Sequence, residues 1–222
     1  MYWMLFIVVM LLSWGVSALV QHRFKQYSEV PMGLTGREVA EKMLRENGID
    51  DVRVCAVNGH LTDYYDPRSK TVNLSEDVYN SSSVASAAVA AHECGHALQH
   101  AQAYAPLKVR SALVPVVEFS SRWMSWVLLA GILVLESFPQ LLEIGIALYA
   151  VTTLFAFVTL PVELNASSRA VSWLRESGLT NMETTPMATA ALRSAAYTYV
   201  VAALASLGTL IYYILILVGR RN

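Results

Sequence analysis

The sequence predicts a mainly α-helical membrane protein with about four transmembrane helices and a small α+β domain that carries a short antiparallel sheet. Hydrophobic residues make up 55% of the 222 residues and charged residues only 15%, whereas soluble domains carry about 25% charged residues. The apolar residues are concentrated in blocks long enough to cross a bilayer, and patterns typical of short strands lie between the first two blocks.

The first apolar block predicts an uncleaved transmembrane helix at 1–20. Residues 2–20 carry no charge, and a helix of that length measures about 28 Å. A cleaved secretory signal is the competing interpretation, but it requires a basic segment before the apolar run. Arg23 and Lys25 follow the run instead.

Residues 21–118 are expected to form the folded domain, and strand patterns occupy its middle. Alternation at 49–57, the turn signal Asn58-Gly59 and the run 61–65 predict an antiparallel hairpin. A further short strand, 71–74, either offers a free edge to an extended peptide or pairs within the protein.

Two helices of this domain have recognisable starts. Thr35 and Glu38 have the spacing of a capping box. Ser83 is a plausible N-cap for an alanine-rich helix over 84–102, which Pro106 terminates. The second helix carries the motif on which the functional prediction depends.

The five residues His92-Glu93-Cys94-Gly95-His96 match H-E-x-x-H, the zinc metallopeptidase signature. Residues four apart lie on one face of a helix, which suits two imidazoles binding one Zn²⁺. Glu93 lies about 100° around the helix, where it can act on a water rather than ligate the metal. The alternative is a helix with two surface histidines, but only 5 histidines occur in the chain and a chance match is rare. The domain is therefore predicted to be zincin-like and catalytic, with one Zn²⁺ per chain.

The rest of the chain predicts further membrane helices. Residues 119–160 are expected to form a transmembrane hairpin that turns near Pro139, although the apolar run 123–135 is short for a full span. Residues 161–194 are expected to form a helical segment, and 195–218 the fourth transmembrane helix.

A catalytic zinc of this type requires a third protein ligand and an open position. His100 lies about 12 Å along the helix from His92, too far to share one ion. Glu163 is favoured because the membrane hairpin returns the chain to the side that it left, and this residue follows directly. The candidates considered are His60, Asp66, His100, Glu118, Glu136, Glu143, Glu163 and Glu183.

The order of these features resembles known proteases. His92-Glu93-x-x-His96, two membrane helices and then Glu163-x-x-Ala166 resemble the gluzincin-type membrane proteases, such as the HtpX-type heat-shock protease. More narrowly, the chain is similar to the YugP-like neutral zinc metallopeptidases of bacteria over nearly its whole length. The segments that carry this similarity are 61–68, 72–75, 92–100 and 161–167.

The resemblance implies a membrane-integrated endopeptidase in which His92, His96 and Glu163 bind zinc and Glu93 is the general base. One position departs from the gluzincin pattern. Ser167 stands where those families often place an aspartate that orients a ligating histidine. Ser167 can make a weaker hydrogen bond, and other carboxylates can serve instead. The candidates for supporting the ligands or contacting substrate are Ser167, His60, Asp63, Tyr64, Tyr65, Asp66, His100 and Arg169.

The expected partners are a peptide or membrane-protein substrate and the lipid bilayer, and a net charge of −1 argues against nucleic acid. Lys and Arg number 11 in 21–122 and 3 in 161–194, whereas only Arg220 and Arg221 lie on the opposite face. The positive-inside rule then places the catalytic domain on the cytoplasmic side of a bacterial plasma membrane, with both termini outside.

Three other functions fit parts of the pattern. A site-2-type protease carries the motif inside a span, but only the eight residues 84–91 precede His92 in this helix. A metal transporter requires ionisable groups within its spans, which are nearly absent here. A catalytically silent zinc-binding scaffold or chaperone-like protein remains the alternative, although a structural site has no use for Glu93 as a base.

Overall fold

The computed structural model describes residues 2–219. Arg220 and Arg221, on which part of the predicted sidedness depends, lie outside the described residues. The elements in chain order are α1 (Tyr2–Ser28), α2 (Gly36–Glu46), β1 (Arg53–Val57), β2 (Tyr64–Asp66), β3 (Thr71–Ser75), α3 (Glu76–Tyr79), α4 (Val84–Ala101), α5 (Ala105–Leu133), α6 (Gln140–Glu176) and α7 (Thr184–Gly219).

The chain divides into two compact units. The helical unit consists of Met1–Trp14, Lys108–Pro161 and Thr198–Asn222, and the mixed unit of Gly15–Leu107 and Val162–Tyr197.

Close helix packing characterises the helical unit. A Cβ atom added at Gly131 of α5 would lie 2.7 Å from the Leu142 Cα atom of α6, so glycine allows these two backbones to approach. The hydroxyls of Thr153 in α6 and Ser206 in α7 are hydrogen-bonded at 2.7 Å. Small and hydroxyl-bearing residues at such contacts are typical of helices in membranes.

Within residues 2–219, four helices are long and apolar enough to cross a bilayer, as predicted: α1, α5, α6 and α7. Large apolar side chains are exposed on them, including Trp14 at 72% and Trp126 at 70%. Such surfaces require an apolar surround. The helix α6 does not break at Pro161, where the sequence favours the end of a span, and Glu163 therefore lies on the same continuous helix. Proline removes one backbone hydrogen bond, but the remaining hydrogen bonds of this 37-residue helix keep it continuous.

The predicted antiparallel sheet is wrong in its topology, because the sheet is mixed. The strand order is β1–β3–β2, with β1 parallel to β3 and β2 antiparallel to it. Asn58-Gly59 does not form a tight hairpin, since the strands on either side of it, β1 and β2, both pair with β3 and not with each other. The loop after β1 instead crosses the position that β3 occupies, and β2 pairs with the edge of β3 opposite β1.

The same topology overturns the free-edge interpretation of 71–74. Every residue of β3 is buried, and both of its edges are paired. Val72 and Leu74 contribute to the core, and burial of this strand on both faces explains why it takes the middle of the sheet.

The core of the mixed unit lies between the sheet, α2 and the motif helix α4. Its fully buried members include Val39 and Met43 of α2 and Ala91 of α4. The two predicted N-caps are confirmed: both the Thr35–Glu38 and the Ser83–Ser86 capping boxes are formed.

Neither cysteine is in a disulfide. Cys94 is buried, with its sulfur 3.6 Å from the Ala40 carbonyl oxygen of α2. It therefore packs as a small core residue on the face of α4 that meets α2.

Candidate metal centre

Two consecutive turns of α4 present His92 and His96 to the carboxylate of Glu163 on α6. Their Nε2 atoms lie 3.4 and 3.5 Å from the Glu163 Oε2 atom. The imidazole centroids are 4.8 Å apart, with the rings nearly perpendicular. All three ligand atoms lie within 4.8 Å of one another, so they converge on one point.

The helices α4 and α6 approach each other closely beside these residues. A Cβ atom added at Gly95 would lie 2.7 Å from the Ala166 carbonyl oxygen and 3.1 Å from its Cα atom. Any side chain at 95 would force the two backbones apart. The glycine inside the motif thus allows the third side chain to reach the two histidines.

A buried glutamine determines the tautomer of His96. Gln99 is fully buried, and its Nε2 donates to the Val162 carbonyl oxygen at 2.8 Å and to Asn165 Oδ1 at 3.0 Å. Only an amide nitrogen can donate to a carbonyl, so its oxygen must be the atom 3.1 Å from His96 Nδ1. His96 therefore carries its proton on Nδ1, which leaves the Nε2 lone pair directed at Glu163.

Ser167 makes the corresponding contact with the other histidine. Its hydroxyl lies 3.1 Å from His92 Nδ1, on the same helix as Glu163. The hydroxyl oxygen can accept a hydrogen bond from Nδ1–H, which again leaves the Nε2 lone pair free. A serine thus stands in the position where the gluzincin pattern often has aspartate.

Glu93 is buried beside this cluster, with 8% of its surface exposed. Burial raises the pKa of its carboxyl; His92 and His96 oppose the shift, and the carboxylates of Glu163 and Asp63 add to it. For His96, burial alone would lower the pKa, but the carboxylates of Glu163 and Glu93 outweigh burial and raise it. The site is largely buried, so charges in it interact more strongly than at the surface.

The residues present fit a zinc ion. Glu163 Oε2 is buried and has no hydrogen-bond partner in the described part of the chain, although such atoms are normally satisfied. Two imidazole nitrogens and one carboxylate oxygen are a donor set typical of catalytic zinc. A cation at the point where the three ligand atoms converge would satisfy the carboxylate.

Comparison with known proteins decides the family. A sequence model of the family described as "Putative neutral zinc metallopeptidase" matches residues 2–218. The chain belongs to this family. A relative described as "Putative membrane protease YugP", from Bacillus subtilis (strain 168), is 40% identical over 225 residues, which is 99% of this chain and 99% of the relative. The resemblance seen in the sequence is thereby confirmed. No solved structure matches the chain, and the zincin-like fold of the domain stays a prediction.

The other site candidates of this metallopeptidase-family chain lie in separate contacts. His60 is exposed and bonded to Asp77 through Nδ1 at 2.7 Å. Asp66 accepts from the Ser69 hydroxyl at 2.6 Å within the β2–β3 turn. Neither is hydrogen-bonded to His92 or His96.

Asp63 is hydrogen-bonded to the residue that precedes α3 rather than to His92 or His96. It accepts from the backbone nitrogen of Ser75 at 2.8 Å and from its hydroxyl. The N-cap side chain of α3 is consequently turned toward Asp63 rather than toward its own helix. Burial raises the pKa of Asp63, while the Ser75 hydrogen bonds oppose that shift.

Tyr65 and His100 form a pair that joins β2 to the end of α4, with Oη and Nδ1 2.9 Å apart. Tyr64 is exposed on the same strand. His100 therefore has a side-chain partner of its own. This agrees with the sequence argument that His100 lies too far along the helix from His92 to bind the same ion.

Arg169 of α6 is hydrogen-bonded to the residue that caps the C-terminus of α4. Its Nε donates to Asn165 Oδ1 at 2.7 Å and its Nη1 to Gln102 Oε1 at 2.6 Å, and its guanidinium lies over the Tyr104 ring. Asn165 Oδ1 also accepts a hydrogen bond from Gln99 Nε2. A continuous series of hydrogen bonds therefore connects His96 to Arg169 through Gln99 and Asn165.

Gln99 and Asn165 were not among the residues singled out from the sequence. A signal for Gln99 exists, because it lies three residues after His96 and hence on the same helix face. A long polar side chain on that face, in an alanine-rich helix, indicates a buried hydrogen-bonding role. Asn165 offers no such signal, since its contact depends on how α4 and α6 pack.

Proposed function

We propose that this chain is a membrane-integrated, zinc-dependent endopeptidase. His92, His96 and Glu163 would hold the metal, and Glu93 is the general base. The observation that carries the proposal is the buried Glu163 oxygen, which has no donor of its own and faces two histidine Nε2 atoms. The membership of the family supports the same conclusion.

The side chains around the metal centre have separate roles in the proposed reaction. When bound, zinc supplies a Lewis acid that polarises the scissile carbonyl and acidifies a water. Glu93 accepts the proton of the attacking water and passes it to the leaving amine. Its burial favours this role, because a raised pKa makes the carboxylate a better proton acceptor. Gln99 and Ser167 keep both imidazoles in the orientation that presents Nε2.

Metal content and cleavage measured together test the proposal. We expect purified protein to hold about one zinc per chain and to cleave casein or a quenched fluorescent peptide mixture. Removal of the metal with 1,10-phenanthroline should abolish cleavage, and added zinc should restore it. Zinc at full occupancy without cleavage would favour the silent scaffold and overturn the peptidase, whereas protein without zinc affinity would overturn both.

We further propose that the catalytic domain faces the cytoplasm of a bacterial cell, on the strength of the basic residues in 21–122 and 161–194. Arg68 is exposed in the β2–β3 turn, and Ser137 is exposed between α5 and α6. In a Cys55→Ser background, the variant Arg68→Cys should resist a membrane-impermeant maleimide in intact cells and react in inverted vesicles. Ser137→Cys should show the reverse, and the opposite pattern for both would refute the orientation.

A further inference from the structure

A second polar pocket lies in the mixed unit between α1 and the start of α7, apart from the metal ligands. Its volume is about 450 Å³, within the usual size range of small-molecule sites. Arg23 of α1 and Arg193 of α7 both line it, together with the hydroxyl-bearing residues Thr189 and Ser194 and with Leu19. Among the residues that the structure describes, no carboxylate lines the pocket.

The two arginines have unused hydrogen-bonding capacity. A guanidinium has five N–H donors. The Arg23 side chain donates to the Tyr27 hydroxyl at 3.4 Å, and the Arg193 guanidinium lies over the Tyr197 ring. Within the described residues, neither arginine forms an ion pair with a carboxylate. Each is thus positioned by a tyrosine one turn further along its own helix and keeps most of its donors.

Two like charges that share a pocket repel each other, and an anion between them removes that cost. Arginine pairs bind phosphate oxygens particularly well, because the planar fork can donate two parallel hydrogen bonds. The chemistry of the pocket is therefore that of a phosphate group rather than of a cation or an apolar ligand.

The sequence positions of the two arginines place the pocket at the membrane border. Arg23 follows the apolar run of α1, and Arg193 precedes the apolar run of α7. Phospholipid phosphates lie at this level, and basic pockets between transmembrane helices bind their headgroups. Leu19 lines the pocket on the apolar side of Arg23, where the first carbons of a lipid chain would lie.

We propose that Arg23 and Arg193 form a binding site for a phosphate group, supplied by the headgroup of an anionic phospholipid or by soluble phosphate. The proposal does not depend on peptidase activity, and its test does not measure cleavage.

The test measures thermal unfolding of the full chain in detergent with dioleoyl phosphatidylglycerol, dioleoyl phosphatidylcholine or sodium phosphate. We expect phosphatidylglycerol to raise the Tm of the wild type by about 5 °C at saturation, and phosphatidylcholine to have no such effect. The double variant Arg23→Gln/Arg193→Gln should lose most of this rise. The control Arg68→Gln/Arg175→Gln removes two exposed charges from the same unit and should keep it.

A saturable rise with sodium phosphate, lost in the same double variant, would assign the site to soluble phosphate. Equal effects of the two lipids, or a phosphatidylglycerol effect that survives the double variant, would overturn the proposal. If the double variant does not fold, the single variant Arg193→Gln at an exposed position answers the same question. Native mass spectrometry provides an independent reading, because preferential retention of phosphatidylglycerol is required in the wild type.

Discussion

Replacing Glu93 by glutamine should reduce peptide cleavage about 10²–10⁴-fold while zinc remains bound. Glutamine has nearly the same shape but cannot take a proton from water. Zinc binding should persist because the ligand cluster consists of His92, His96 and Glu163 and does not include Glu93. The measurement is kcat/KM on a fluorescent peptide, together with the zinc content of the same preparation.

The stability of this variant separates a lost base from a damaged fold. Glu93 is buried, and burial of a charged carboxylate is costly, so Glu93→Gln should unfold at the same Tm or a higher one. Glu93→Asp keeps the carboxylate on a shorter side chain and should recover part of the activity. Full activity in Glu93→Gln would exclude Glu93 as the base, and loss of zinc would place it among the ligands.

Replacing Glu163 by alanine should weaken zinc binding by more than about 100-fold, since loss of an outer-shell partner alone costs 10–100-fold. The carboxylate is the only contribution of α6 to the three-residue cluster. Alanine is a strong helix former, so α6 should remain intact by circular dichroism. The measurement is zinc affinity by competition with a chelating dye.

Glu176→Ala is the matched control, because Glu176 is exposed on the last turn of the same helix. It should bind zinc as the wild type does. Zinc should also raise the Tm of the wild type and of this control, because an ion that binds the native state stabilises it. It should not raise the Tm of Glu163→Ala, which is expected to bind zinc too weakly. Unchanged zinc affinity in Glu163→Ala would remove this residue from the ligand set.

Local and periodic features were readable from the sequence because they depend on residues near each other in the chain. The spacing of His92 and His96 predicts one helix face, and the four apolar blocks predict four long helices, which α1, α5, α6 and α7 provide. The capping boxes at Thr35 and Ser83 are of the same kind, since a cap involves only the first turn of its helix.

The choice of Glu163 required one step more. Two membrane helices between the motif and this carboxylate return the chain to the same side, which is an argument from topology. That topology predicts which carboxylate lies on the same side as the motif helix, but it does not predict the distance between Glu163 and the histidines. The separation of 3.4 Å between Glu163 and His92 depends on Gly95 and Ala166, where the two helix backbones meet.

The strand pairing was decided by tertiary structure. Asn58-Gly59 is a strong local signal for a hairpin, but β3 is buried along its whole length and lies between β1 and β2. Burial of a central strand outweighs the preference of one turn. A sequence pattern contains little information about which strands become neighbours, because pairing depends on contacts between distant residues.

The sequence by itself therefore determined the four long apolar helices, the motif helix with His92, Glu93 and His96, and the family. Tertiary structure alone decided the order of the strands and the hydrogen bonds of Gln99 to His96 and of Ser167 to His92. The physical reason is the range of the interactions. Helix periodicity and caps act within a few residues, whereas the hydrogen bonds that orient His92 depend on a side chain 75 residues away.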